Sequence, residues 1–70
     1  MIGYAIYFNT TDYPKRYVVR KWYMIDGISI PDDHKFVEET LSDARAHIPK
    51  GFVNVGNKLE TDPVIVECWI

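Results

Sequence analysis

One cysteine, Cys68, is all the thiol chemistry in this 70-residue chain. A single cysteine excludes an internal disulfide, and with only two histidines it falls short of a closed structural zinc set. No run approaches the ~20 apolar residues of a membrane span. The first apolar stretch, Tyr4 to Phe8, lacks the basic flank of a signal peptide. These absences lead to an expected cytoplasmic location with Cys68 reduced. Asn9-Thr10-Thr11 fits a glycosylation sequon, but without a secretory signal the match carries no weight. A positive excess is missing too. Eight Lys+Arg against ten Asp+Glu give a formal charge of −2, the opposite of a dedicated duplex-DNA binder.

Catalytic and cofactor motifs are equally absent. Gly51 and Gly56 stand alone, so no glycine-rich loop cradles a phosphate. His34 and His47 lie thirteen residues apart, and neither forms an i, i+4 ligand pair with Asp32, Asp33 or Asp43. Cys68 sits in an apolar run and reads as a small buried hydrophobe. Nothing in the spacing of Asp12, Asp26 and Glu67 pairs them as an acid and a base. The reading is therefore no enzyme, no metal and no cofactor.

What is present is the composition of one globular domain spanning residues 1–70, with 47% hydrophobic, 26% charged and 14% aromatic residues in 8.2 kDa. A body this small buries about 60% of its unfolded surface. Its core rarely supplies more than about 3–5 kcal/mol of net stability. With no staple, it must rely on dense aromatic packing or on a partner.

The four prolines punctuate the chain between apolar segments. Ile2 to Phe8 is rich in β-formers without polar alternation, which predicts a strand central in the sheet or covered on both faces. Asn9 to Pro14 has turn chemistry. Arg16 to Ile25 predicts the longest strand, with Tyr17, Val19, Lys21, Tyr23 and Ile25 toward the core and Arg16, Arg20 and Trp22 on the other face. Asp26-Gly27 marks a type I′ hairpin, and Ile28 to Ile30 a short return strand ended by Pro31.

Val37, Leu41, Ala44 and Ile48 fall at helical spacing. They predict an α-helix over Asp33 to Ile48, capped by Asp32 or Asp33 and ended by Pro49, with Gly51 in the exit. Its outer face would hold Glu38, Glu39 and Asp43. A rival start at Thr40, with Asp43 in the capping-box position, leaves His34 to Glu39 extended. Phe52 to Val55 and Val64 to Ile70 read as strands, with a tight turn at Gly56-Asn57 and a polar stretch over Lys58 to Asp62. The expected fold class is α+β: an antiparallel or mixed sheet of four to five strands with one α-helix packed on one face, in ββ-α-ββ order.

Such a fold leaves the second sheet face without a roof. The residues expected there and on the helix surface become the candidate protein contacts: Arg16, Arg20, Trp22 and Tyr23, with Glu38, Glu39 and Asp43 as an acidic alternative. Charge is divided between the parts, with a net +2 over residues 1–31 and −4 over residues 32–70. An acidic helix face could engage a basic groove, or simply be solvated. Tyr17, Trp22 and Tyr23 beside Arg16, Arg20 and Lys21 also suggest single-strand nucleic-acid binding, although alternation divides them between two faces.

Thr40-Leu41-Ser42-Asp43-Ala44-Arg45, Ile48-Pro49 and the tail Asp62-Pro63-Val64-Ile65-Val66-Glu67-Cys68-Trp69 resemble segments of short uncharacterised bacterial and phage proteins. The small acidic chain without a catalytic motif is similar in style to phage-encoded inhibitors such as anti-CRISPR proteins. The resemblance covers about half the chain and carries over no functional residue. It implies stoichiometric blockade of a host defence complex. Together these readings describe a small non-enzymatic protein-binding module, an inhibitor or a homodimer. Single-stranded nucleic acid is the alternative partner, and a membrane is not a partner.

Overall fold

Strand pairing organises most of this chain. The structure, a computed structural model, describes residues 1–56 and 64–70. Its elements are β1 (Ile2–Phe8), β2 (Tyr17–Ile25), β3 (Ile28–Glu38), α1 (Leu41–Arg45), β4 (Asn54–Gly56) and β5 (Ile65–Trp69). The strands form one antiparallel sheet in the order β3-β2-β1-β5-β4. The run of β-formers in β1 fits its central place between β2 and β5. Asp26 and Gly27 both take positive φ between β2 and β3, as a type I′ hairpin turn requires.

The expected α+β class in ββ-α-ββ order does not hold. The protein is mostly β, and its helix has five residues where sixteen were expected. Residues 33–38 belong instead to β3, which at eleven residues is longer than β2 at nine. The reason is the ladder that β2 offers. Lys35, Phe36, Val37 and Glu38 pair with Arg20, Val19, Val18 and Tyr17. Two β-formers, Phe36 and Val37, favour that pairing.

A local contact also competes with a helix start. Asp32 Oδ1 accepts a hydrogen bond from the His34 backbone N–H at 2.9 Å. Nor does Pro31 end the strand. It lies opposite Trp22 on an edge strand, next to a register shift between Arg20 and Trp22. An edge strand tolerates a missing N–H there. The helix begins at the rival position, with an extended Thr40 whose Oγ1 accepts from the Asp43 N–H at 3.1 Å. Phe52 and Val53 precede β4 rather than forming it, and Arg16 precedes β2. The expected turn at Gly56-Asn57 and the polar stretch 58–62 lie at or within the segment outside the described residues.

A five-residue helix cannot stand alone, and a single turn cannot roof a sheet. It reaches the sheet with Ala44, which is fully buried against Ile6 and Val19, while Tyr4, Tyr17, Leu41 and Ile48 pack around them. The rest of that face is left bare toward the β2–β3 hairpin, where Ile25, Ile28 and Ile30 are exposed. The opposite face has its own cluster, Ala5, Ile65 and Cys68, flanked by Tyr7, Trp22 and Val55. Among the described residues no helix is long and apolar enough to cross a membrane.

Candidate functional site

The face opposite the helix contains an open hollow of about 250 Å³. Alternation along two neighbouring strands builds it. β1 turns Gly3, Ala5 and Tyr7 to this side, and β2 turns Val18, Arg20, Trp22 and Met24 to it, with Gly3 opposite Trp22 and Ala5 opposite Arg20. Gly3, Ala5 and Cys68 are small and form the base. Tyr7, Trp22 and Met24 stand around them. Gly3 is closely approached: a Cβ there would meet the movable tip of Met24, Cε, at 2.8 Å and the Trp69 carbonyl oxygen at 3.3 Å.

The wall is fixed before anything binds. Trp22 Nε1 donates to the Tyr7 hydroxyl at 3.2 Å, which satisfies the indole N–H and holds the ring. A half-buried, immobilised indole loses little conformational freedom when a partner packs on it.

Tyr7 also borders a second, smaller hollow of about 160 Å³, lined among others by Asp12, Tyr13, Arg20 and Lys35. Here the electrostatics are unusual. Arg20 and Lys35 lie directly opposite each other on β2 and β3, a like-charge cross-strand pair that costs stability. Lys35 Nζ lies 5.3 Å from the Tyr13 ring centroid. The Nε of Arg20 is buried and has no hydrogen-bond partner among the described residues.

The other expected contact residues are dispersed. Tyr23 faces the helix side, where its hydroxyl donates to Asp32 Oδ2 at 2.8 Å. The N–H of His34 and, secondly, this hydroxyl hold the Asp32 carboxyl below the usual carboxylate range. Glu38 meets His47 Nε2 at 2.5 Å. Arg16 and Glu39 lie 3.6 Å apart with both side chains exposed, so the basic and acidic candidates partly neutralise each other. Asp43 is exposed in the first turn of α1. The aromatic and basic set suggested for nucleic acid is split: Arg20 and Trp22 lie on the open face, and Tyr17, Lys21 and Tyr23 on the helix face.

On the helix side His47 stacks on Phe36 at 4.0 Å between centroids, and His34 meets the same ring edge-on at 4.7 Å. Among the described residues no three His, Cys, Asp or Glu side chains gather in a way that could hold a metal ion.

Glu67, Tyr7, Met24, Gly3 and Lys35 were not among the sequence candidates. One signal for the hollow was available: the small odd-numbered residues Gly3 and Ala5 alternate with large even-numbered ones in β1. Glu67, only 4% exposed, is a clasp between elements. Arg45 Nε and Nη2 donate to its two oxygens at 2.7 and 2.8 Å, Asn54 Nδ2 at 3.0 Å and Trp69 Nε1 at 3.1 Å. The Arg45 hydrogen bonds hold its carboxyl below the ordinary value against the opposing effect of burial, and the Trp69 and Asn54 bonds add to this.

No family model, curated protein or solved structure matches this chain.

Proposed function

We propose that the protein is a non-enzymatic binding module whose open sheet face receives an apolar side chain of a protein partner. The supporting observation is the hollow itself: small residues at its base, and an indole wall already locked to Tyr7. Tryptophan is among the side chains that dominate interface energetics when packed in such pockets. Of the expected contacts, Arg20 and Trp22 belong to this face. Arg16, Tyr23, Glu38, Glu39 and Asp43 are contacts only for a partner that reaches round the molecule. We place the module in the cytoplasm, where the buried Cys68 stays reduced. Stoichiometric inhibition of a host defence complex is one use of such a module.

A peptide-display selection on the immobilised protein tests the reading. Peptides carrying an aliphatic or aromatic anchor are expected to be enriched, and Trp22→Ala is expected to weaken them about tenfold or more. Selected peptides that bind Trp22→Ala as well as the parent would refute it. Sedimentation equilibrium covers the homodimer: a dimer that Trp22→Ala dissociates would make the occupant a second copy of the chain. One that survives it would point to the exposed Ile25, Ile28 and Ile30 end instead. Oligonucleotide binding that falls steeply with salt would favour single-stranded nucleic acid.

A further inference from the structure

Resting on that reading, we infer that the partner presents a carboxylate beside its apolar group, and that Arg20 and Lys35 recognise it. Three observations converge. Two cations face each other across β2 and β3 on the same side of the sheet as the hollow. Native sheets generally avoid like charges in direct opposition, because each raises the cost of the other. An anion between them removes that cost.

Arg20 also buries its Nε without a hydrogen-bond partner among the described residues. A buried donor left unmade is expensive. A carboxylate accepts from a guanidinium through two parallel hydrogen bonds, and a turn of the Arg20 side chain that opens Nε to the hollow lets it satisfy Nε together with a terminal nitrogen.

Third, the two hollows share a wall, since Tyr7 borders both. Arg20 and Trp22 are two residues apart on one face of β2, which sets their side chains about 7 Å apart along the strand. A ligand whose carboxylate lies about that far from its apolar group fits both hollows at once. Among the described residues, Asp12 is the one acidic side chain lining the smaller hollow. Among the described residues no ion pair joins an acidic side chain to Arg20 or Lys35.

The test uses 4-phenylbutyrate and its neutral isostere 4-phenylbutanamide, titrated into the ¹⁵N-labelled full chain. The acid is expected to shift the Arg20 Nε–H and Trp22 Nε1–H resonances together, and to bind about fivefold or more tighter than the amide, as a charge-assisted contact should. Arg20→Gln is expected to bring acid and amide to equal affinity. Lys35→Gln, on the edge strand, gives the same readout with less risk to folding. Equal binding of acid and amide to the parent chain, with Trp22 shifted, would overturn carboxylate recognition and leave the apolar hollow standing. Shifts that bypass Trp22 altogether would overturn both. Addition of sodium acetate alone is expected to move Arg20 Nε–H without Trp22. An acetate-induced shift of the Lys35 backbone N–H that persists in Arg20→Gln would also count against the assignment.

Discussion

Replacing Glu67 by glutamine tests the clasp that ties the short helix to the sheet. The carboxylate is almost wholly buried and accepts from Arg45, Asn54 and Trp69. Glutamine keeps the shape but loses the charge, and turns an NH₂ toward groups that are themselves donors. Hydrogen bonds to a charged group contribute about 1.5–3 kcal/mol each. The Arg45 side chain is nearly half exposed, so water can replace much of what it loses. Counting only the Asn54 and Trp69 contacts, the expected loss is about 3 kcal/mol. That is comparable with the whole net stability of a domain this size, about 3–5 kcal/mol. Urea unfolding followed by tryptophan fluorescence should show the midpoint moving close to zero denaturant with an unchanged slope. A loss below about 1 kcal/mol at constant slope would refute the reasoning, since the donors would then be equally well served by the amide or by water.

Two further outcomes follow from the same contacts. The Glu67 carboxyl titrates below its ordinary 4.5 in the folded chain. Its contribution is therefore fully present above that value and is lost as pH falls through the lower folded value, where the unfolded chain binds the proton first. The urea midpoint of the parent should drop between pH 5 and pH 3, and the stability gap between parent and Glu67→Gln should narrow over the same range. Asp32, also lowered, adds to the fall in both chains with the same sign. Thr40→Ala removes the side chain that accepts from the Asp43 N–H and should cost about 1 kcal/mol in the same assay.

The sheet was legible because its evidence is local. The β-formers of β1 and β2, the Asp26-Gly27 turn and the apolar tail that became β5 each carry their signal within a few residues. Residues 33–40 were not legible in the same way. Val37, Leu41, Ala44 and Ile48 fit a helical stripe, yet Val37 pairs with Val18 while Ala44 is buried beside Ile6 and Val19. Periodicity cannot distinguish one helix from a strand followed by a turn of helix when the apolar residues of both fall in step. The choice was made by β2, whose unpaired edge offered a ladder of backbone hydrogen bonds along its length.

The candidate site divides in the same manner. Alternation along β2 set Arg20 and Trp22 on the face away from the helix. It could not show that Tyr7 would hold the indole, that Lys35 would stand opposite Arg20, or that Glu67 would be buried among four donor contacts. Those facts depend on register, which brings together residues 13 to 22 positions apart in the chain. By itself the sequence determined β-rich segments at both ends, one lone cysteine and no recognisable catalytic motif. The tertiary structure alone decided where the helix begins, which face stays open and which charges meet there, because strand pairing is a long-range choice and side-chain direction follows from it.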